Sequence, residues 1–330
     1  MKKILRIIAY IFGVLIIIIL GAFAYVQLAY PNVSPPEDLK IEYTSERIER
    51  GAYLANHVTV CMDCHSTRDF SQFSGPPAPG TLGAGGDRFD HSMGLPGVFY
   101  AKNITPHGIS DYNDGELYRV ITTGVTNDGR PMFPLMPYSY YSKMDPEDIY
   151  SIIAYIRSLP AVETEIPESE ADFPVNFILR TIPTNSTPTM RPDPSDQVAY
   201  GGYLINASGC SECHTQVDPQ GTILMDKLFA GGRTFLFPDG SNVTSSNLTQ
   251  DKETGIGNWT EEMFLQRFKQ YADSGYVNPK VRPGEFNTIM PWTMYAGMKT
   301  EDLKAIYAYL KTVKPIPNPV VKFTAANISE

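Results

Sequence analysis

The sequence CMDCH occupies residues 61–65, and a second copy of the same pattern, CSECH, occupies residues 210–214. Each copy holds two cysteines three positions apart, with a histidine directly after the second cysteine. On a helix, residues three and four apart share a face, so both thiols and the imidazole can point the same way. The chain has four cysteines in all. The two motifs therefore contain every thiol that the sequence offers.

This arrangement is typical of covalent c-type haem attachment. Two thiols at this spacing can meet the two vinyl groups on one edge of a porphyrin, and the histidine can reach the iron from one side. Half of a zinc site and a thiol redox pair are the alternatives for each motif. We predict two haem c groups, attached through Cys61, Cys64, Cys210 and Cys213, with His65 and His214 as the proximal iron ligands.

The histidine count restricts the ligand on the opposite face of each iron. The chain has five histidines, and His214 is the last of them along the sequence. The second half therefore has no other histidine to bind its own iron, and methionine is the natural soft, neutral donor. Met136 and Met290 match in the repeat described below, and each is followed by proline and an aromatic residue. We predict that these two methionines are the distal ligands.

Two alternatives for the distal ligands stay open. Met144 and Met298 also match in the repeat, but an apolar residue just before a helix commonly packs back on its first turn. A bis-histidine first haem would need His57, His91 or His107, which we interpret as surface or hydrogen-bonded residues.

The motifs belong to a unit of about 150 residues that occurs twice. The order of the landmarks is kept in both copies, which chance similarity does not produce. We predict two domains, at 45–162 and 198–318, joined by a proline-rich linker at 163–197 and followed by a tail at 319–330. The matching landmarks are Gly51 and Gly201, Ala84 and Ala230, Asn103 and Asn247, Met136 and Met290, and Ala154 and Ala308.

Within each copy the pattern predicts helix, long loop, helix, loop, helix. Asn113 and Thr260 are expected to cap the middle helices, and Asp145 followed by proline is a good start signal for a last helix. Stripes of apolar residues at helical spacing follow these signals. Because no stretch alternates convincingly as a strand, we predict an all-α fold with long glycine- and proline-containing loops. The stripes are Ile149, Ile152, Ile153 and Ile156 in the first copy, and Leu303, Ile306, Tyr307 and Leu310 in the second.

Residues 1–30 predict a membrane anchor or a signal segment. Three basic residues precede an apolar run at about 7–26, which at 1.5 Å per residue spans about 30 Å, the thickness of a bilayer core. The positive-inside rule places the rest of the chain outside the cytoplasm. We expect a single-pass protein of a bacterial inner membrane with its domains in the periplasm. The alternative is cleavage near Ala-Phe-Ala at residues 22–24 and secretion to the periplasm.

The charge balance excludes several classes of partner. Of 330 residues, 42% are hydrophobic and 19% charged, so the chain can bury cores. After the three N-terminal cations, 24 basic residues face 36 acidic ones. This balance argues against nucleic-acid binding and against docking on anionic lipid through a polybasic patch.

The remaining landmarks have weaker interpretations. Asn103 and Asn247 are candidates for hydrogen bonds to a haem propionate, and an ordinary loop role is the alternative. The Ala-Gly-Gly stretch at 84–86 and its copy are expected to let the backbone approach the haem closely. The aromatic residues near the motifs, Tyr53 and Tyr203 among them, are expected to line the haem pockets.

Together these motifs resemble those of the multihaem cytochrome c subunits of bacterial membrane-bound dehydrogenases of the alcohol, gluconate and nicotinate types. The resemblance covers residues 45–318. It implies tandem domains like class I cytochromes c, covalent haems on the four cysteines, a proximal His65 and His214, and a distal Met136 and Met290. Members of that family usually carry three such domains, whereas this chain has two.

The resulting expectation is an electron-transfer protein rather than an enzyme. A tethered dihaem chain would relay electrons from a dehydrogenase subunit or quinol-oxidising complex to an oxidase or small cytochrome. The alternatives are a dihaem peroxidase, which needs acid–base groups over an open iron, and a fixed haem subunit of a respiratory oxidase complex.

Overall fold

The structure is a computed structural model, and it describes residues 2–219 and 221–326. Residues 327–330, the end of the predicted tail, lie outside the described residues. The first helix is α1, Lys2–Ala29, which has 28 residues, an 18-residue stretch with a mean hydropathy of 2.9, and no buried residue. By length and composition α1 can cross a membrane, which fits the predicted anchor and equally a signal segment.

The two copies, here called the first and second repeat, are built from the same series of helices. Helix α7 (Val175–Ile178) lies in the linker between them. Helices account for 39% of the chain, so the prediction of a mostly helical protein is confirmed. The first repeat contains α2 (Ser45–Tyr53), α3 (Cys61–Cys64), α4 (Asp114–Thr123), α5 (Tyr138–Tyr141) and α6 (Pro146–Ser158). The second contains α8 (Gln197–Ala207), α9 (Cys210–Cys213), α10 (Glu261–Lys269), α11 (Trp292–Tyr295) and α12 (Thr300–Leu310).

The helices begin where the capping residues predict. The Asn113 side chain accepts from the Glu116 N–H at 2.9 Å, and the Glu116 carboxylate accepts from the Asn113 N–H at 2.8 Å, a complete capping box. Thr260 caps α10 and Asp145 caps α6, which has proline in its first turn. The predicted apolar stripes on α6 and α12 are buried throughout. They form one continuous core with residues of both repeats.

In each repeat the first long helix packs against the last, with a glycine at the contact. A Cβ at Gly51 would lie 1.8 Å from the Ser151 carbonyl oxygen, and a Cβ at the matching Gly201 would lie 1.9 Å from the Ala305 carbonyl oxygen. No side chain fits at either place. Helix α2 therefore packs directly on the backbone of α6, and α8 packs in the same way on α12.

The prediction of an all-α chain is wrong in one respect, because each repeat also carries a small sheet. These strands have two to four residues, too few for alternation to be visible in the sequence. The third strand of each sheet lies just beyond the predicted domain end. The antiparallel sheets are β1 (Arg88–Phe89), β2 (Gly97–Tyr100) and β3 (Glu170–Ala171), and β4 (Thr234–Leu236), β5 (Asn242–Thr244) and β6 (Phe323–Thr324), each in that order.

The two repeats exchange a tyrosine across their interface. The Tyr53 hydroxyl donates to the Asp302 carboxylate at 2.5 Å, and the Tyr203 hydroxyl donates to the Asp148 carboxylate at 2.6 Å. Tyr53 matches Tyr203 in the repeat, and Asp148 matches Asp302. Each contact is therefore the counterpart of the other, as expected for two units related by a local two-fold axis.

The glycine at the helix contact gives a stability prediction. In Gly201→Ala the new methyl group would overlap the Ala305 carbonyl oxygen, and overpacking of this kind costs about 1–3 kcal/mol, occasionally more. A contact this short with a backbone oxygen should cost an amount near the upper limit of that range. This cost outweighs the gain of about 1 kcal/mol in helix propensity. Chemical denaturation should show a net loss of about 2 kcal/mol in the free energy of unfolding. Gly275→Ala is the control, since a Cβ there would meet nothing closer than 3.7 Å; an equal effect of both variants would contradict the prediction.

Candidate functional site

Both Cys-x-x-Cys-His motifs form a single helical turn that starts from a left-handed residue. Val60 precedes α3 with φ 45°, and Gly209 precedes α9 with φ 61°. The His65 N–H donates to the Cys61 carbonyl oxygen at 2.9 Å, and the His214 N–H donates to the Cys210 carbonyl oxygen at 2.9 Å. The four thiols are free rather than joined in disulfides. Each turn therefore presents two thiols and one imidazole at the spacing that the motif predicts.

Each motif histidine is oriented by a backbone carbonyl group. Nδ1 of His65 lies 2.7 Å from the Lys102 carbonyl oxygen, and Nδ1 of His214 lies 2.7 Å from the Ser246 carbonyl oxygen. A carbonyl oxygen can only accept, so Nδ1 carries the proton and Nε2 keeps a free lone pair. Burial lowers the pKa of both imidazoles. This is the neutral, oriented state that an iron-ligating histidine needs.

Asn103 and Asn247 hold the loops that supply these carbonyl groups. The Asn103 amide donates to the Val162 carbonyl oxygen at 2.7 Å and to the Thr164 hydroxyl at 2.9 Å. Its oxygen accepts from the backbone N–H of Thr105. Asn247 makes the corresponding bonds to Ile316 and Thr254, and accepts from Thr249. These contacts are those of an ordinary loop role, and a bond to a haem propionate stays a prediction.

The paired glycines beside the motifs allow a close approach of backbone to backbone. The Gly85 N–H donates to the His65 carbonyl oxygen at 2.9 Å, and the Gly231 N–H donates to that of His214 at 2.8 Å. Gly85 has φ +74°, and a Cβ there would lie 2.6 Å from the Ala101 carbonyl oxygen. Only glycine adopts this left-handed backbone conformation readily and also leaves room for the neighbouring carbonyl oxygen. The stretch thus locks the motif turn against the loop that orients the histidine.

The two matched pairs of methionines lie in different surroundings. Met144 and Met298 are 1% exposed and belong to the core, where the predicted packing role accounts for them. Met136 and Met290 are partly buried at the edge of that core. Each is followed by proline and a single helical turn, α5 or α11, whose first N–H donates to the methionine carbonyl oxygen at 2.8 Å. The assignment of Met136 and Met290 as distal ligands stays a prediction.

The other three histidines are engaged or exposed. Nδ1 of His57 lies 2.8 Å from the Met294 carbonyl oxygen at the contact between the repeats. His91 pairs with Asp172 at 2.7 Å on the surface, and His107 is exposed. These positions agree with the interpretation of surface or hydrogen-bonded residues.

The first repeat holds the loop of Met290 through Ser74, a contact, here called the brace, that no sequence signal indicates. Ser74 is fully buried and has φ +68°. Its hydroxyl donates to the Met290 carbonyl oxygen at 2.5 Å and accepts from the Trp292 N–H at 3.0 Å. In the part of the chain that the structure describes, the loop at 131–137 receives no such hydrogen bond from the second repeat. The two methionine loops are therefore held differently.

Arg68 connects this brace to the first motif. Its guanidinium pairs with the Asp63 carboxylate at 3.1 Å, both side chains being nearly buried. It also donates to the carbonyl oxygens of Ser74 at 2.9 Å and Ile289 at 3.4 Å. Asp63 stands between Cys61 and Cys64, so one arginine joins the first motif to the residue before Met290.

The chemistry of the donor set fits haem attachment better than its alternatives. Burial raises the pKa of the Cys210 thiol to about 12 and that of Cys213 to about 11, whereas redox-active pairs have a lowered pKa. Among the described residues, no three His, Cys, Asp or Glu side chains cluster in a way that could hold a metal ion. The two motifs therefore do not combine into one zinc site. The free thiols and the oriented imidazoles are the groups that a covalent haem requires.

Comparison with known proteins gives several relatives. No protein-family model matches the sequence. The chain is 28% identical over 292 residues to "Alcohol dehydrogenase (quinone), cytochrome c subunit" of Gluconacetobacter polyoxogenes, which covers 83% of this chain and 57% of that protein. It is 26% identical over 284 residues to "Gluconate 2-dehydrogenase cytochrome c subunit" of Pantoea cypripedii, covering 81% of this chain and 59% of that protein. The resemblance drawn from the motifs is thereby confirmed.

The lengths of the relatives differ. The chain spans less than 60% of the length of these dehydrogenase subunits. By contrast, it is 27% identical over 316 residues to "Diheme cytochrome c-type" of Cereibacter sphaeroides, and the match covers 92% of this chain and 97% of that protein. The relative of matching length is thus named as a two-haem protein.

The brace predicts an effect of the first repeat on the second methionine loop. Ser74→Ala removes two part-buried hydrogen bonds and leaves the Met290 carbonyl oxygen and the Trp292 N–H only their bond to each other. At about 0.5–1.5 kcal/mol for each lost bond, we expect a loss of about 1–3 kcal/mol in the free energy of unfolding. In the haem-loaded protein we also expect the absorption band of the sulfur-to-iron bond to weaken to about half, since only one of two loops is disturbed. Titration with denaturant and absorption spectroscopy measure the two effects. Ser110→Ala on the exposed surface is the control; a variant of Ser74 that behaves like it would show that the brace does not position Met290.

Proposed function

We propose that this chain is a membrane-tethered dihaem cytochrome c that passes electrons between proteins rather than an enzyme. The observation that carries the proposal is the repeated site: two free thiols on one helical turn beside a partly buried imidazole whose Nδ1–H donates a hydrogen bond to a carbonyl oxygen. The relatives, named as cytochrome c subunits and as a diheme cytochrome c, point the same way. The iron of a bound haem would supply a reversible change between the ferrous and ferric states.

Each site offers separate residues for the covalent attachment of a haem and for the ligation of its iron. Cys61 and Cys64, or Cys210 and Cys213, would form the thioether links, and Nε2 of the motif histidine would be the first iron ligand. Met136 and Met290 would each supply a second ligand to their own iron and leave no position for a substrate. Ligation by histidine and methionine raises the reduction potential, which suits transfer of electrons toward an oxidase. We assign the two class I cytochrome c-like domains to 45–162 and 198–318, each completed by the strand that follows it.

The partners proposed follow from the relatives and from the charge. A dehydrogenase subunit is the proposed donor, since the relatives are named as subunits of alcohol, gluconate and fructose dehydrogenases. A quinol-oxidising complex is the second candidate, and an oxidase or a small cytochrome is the acceptor. Because acidic residues outnumber basic ones in the domains, docking should favour a basic surface and slow down with salt. Helix α1 would hold the domains at the periplasmic face of the inner membrane.

The ligand assignment can be tested with volume-conserving substitutions. Leucine cannot bind iron, so Met136→Leu and Met290→Leu should each remove about half of the sulfur-to-iron absorption, because each iron would lose one ligand. Each variant should also lower the reduction potential of one haem. Met144→Leu and Met298→Leu are the matched controls, since their sulfurs are packed in the core and the swap costs less than about 1.5 kcal/mol.

The same preparation tests the proposal as a whole. The mature protein should exceed its polypeptide mass by two haems, and the pyridine haemochrome should report two haems per chain. A mature chain that carries no covalent haem would refute the proposal. Loss of the sulfur-to-iron absorption in the two controls instead would move the distal ligands to Met144 and Met298.

A further inference from the structure

The linker consists of two chemically different halves. Residues 163–172 include the acids Glu163, Glu165, Glu168, Glu170 and Asp172. Residues 173–191 contain no acid, and their first ten, FPVNFILRTI, are mostly apolar. In a chain with an excess of acidic residues, such a stretch is a departure in composition. We call residues 173–182 the apolar segment.

The apolar segment turns several large side chains outward. The exposed fraction is 84% for Phe173, 49% for Ile178 and 39% for Ile182. Leu179 alone among its large residues is directed into the protein, at 6%. Single exposed apolar residues are common, but several together on one surface mark a contact with a membrane or another protein.

The apolar segment is attached to the end of helix α1. The ring of Phe177 stacks on that of Phe23, with centroids 5.0 Å apart and planes 8° from parallel. The Arg180 guanidinium donates to the carbonyl oxygens of Tyr30 at 2.7 Å and Gln27 at 3.2 Å. Carbonyl groups at a helix C-terminus lack partners within the helix and favour a cation. The segment therefore caps α1 and continues its apolar surface.

The position of Phe23 sets the depth of this contact. The apolar run of α1 ends near residue 26, so Phe23 lies about 4–5 Å inside that end at 1.5 Å per residue. A ring stacked beside it lies at a similar depth. Interfacial helices bury their apolar face about 5–10 Å into the boundary between head groups and acyl chains.

We propose that the apolar segment is a second membrane contact, inserted into the outer boundary of the bilayer that α1 crosses. The inference rests on the membrane anchor of the proposed function. The lipid is favoured as occupant because the ring of Phe177 lies beside Phe23 at the depth of the acyl chains, and the exposed apolar side chains belong to the same short segment. Two contacts hold the domains in one orientation, whereas α1 alone would leave them free to swing. The same face of the haem domains would then always be turned toward the membrane.

Thiol reactivity in lipid nanodiscs tests this proposal. Phe173→Cys and Val277→Cys introduce single reactive thiols, because thioether formation consumes the four native cysteines. Phe173 is 84% and Val277 83% exposed, so the protein alone shields both positions equally. We expect a charged maleimide to modify Phe173→Cys at least about tenfold more slowly than Val277→Cys. Apolar surroundings raise the pKa of a thiol, and a rise of one unit removes about nine-tenths of the thiolate. Ile178→Cys should behave like Phe173→Cys.

The other outcomes are distinct. If the discs retain the chain but Phe173→Cys and Val277→Cys react at equal rates, the second membrane contact is refuted and the anchoring by α1 is not. Equal rates in nanodiscs but protection in native membranes would identify a protein as the occupant, and would also overturn it. A chain that does not enter the discs would refute the anchor and the inference that depends on it. Two haems per chain, measured on the same sample, separate all these results from a failure of haem attachment.

Discussion

Each half of this protein is organised around one constraint: a partly buried imidazole must donate a hydrogen bond from Nδ1–H to a single backbone carbonyl oxygen. His65 needs the carbonyl of Lys102, and His214 needs that of Ser246. A loop 37 residues beyond His65, and one 32 residues beyond His214, must therefore return to the motif and stay there. The asparagine after each carbonyl and the glycine pair beside each motif serve this purpose. Their repetition in both halves shows that the loops are shaped for the histidines.

The sequence predicted the parts of the structure that depend on local spacing. The motif turn follows from residues three and four apart, and the helix starts follow from side chains that accept from N–H groups two or three positions ahead. The repeat made these signals stronger, because each appeared twice. Apolar stripes placed the last helix of each repeat in the core for the same reason: a period of 3.6 residues is visible in a single sequence.

Contacts between distant residues could not be predicted in this way. The sequence does not indicate that the hydroxyls of Tyr53 and Tyr203 donate to carboxylates of the opposite repeat, 249 and 55 residues away. Their predicted place beside the haems stays a prediction. Ser74 meets Met290 across 216 residues. Its left-handed backbone carries no signal in the sequence, since serine rarely adopts that conformation. The short strands were missed because pairing, rather than alternation, defines them.

The interface between the repeats combines a symmetric and an asymmetric part. The exchanged tyrosines are equivalent and fix how the two halves meet. The brace through Ser74 and Arg68 has no counterpart on the loop of Met136 among the described residues. The brace ties the backbone of only one predicted distal ligand to the buried pair of Arg68 and Asp63, so the two predicted haem sites have different surroundings although the tyrosine contacts are equivalent. If the two sites hold haem as proposed, this asymmetry is a structural source for a difference between their reduction potentials.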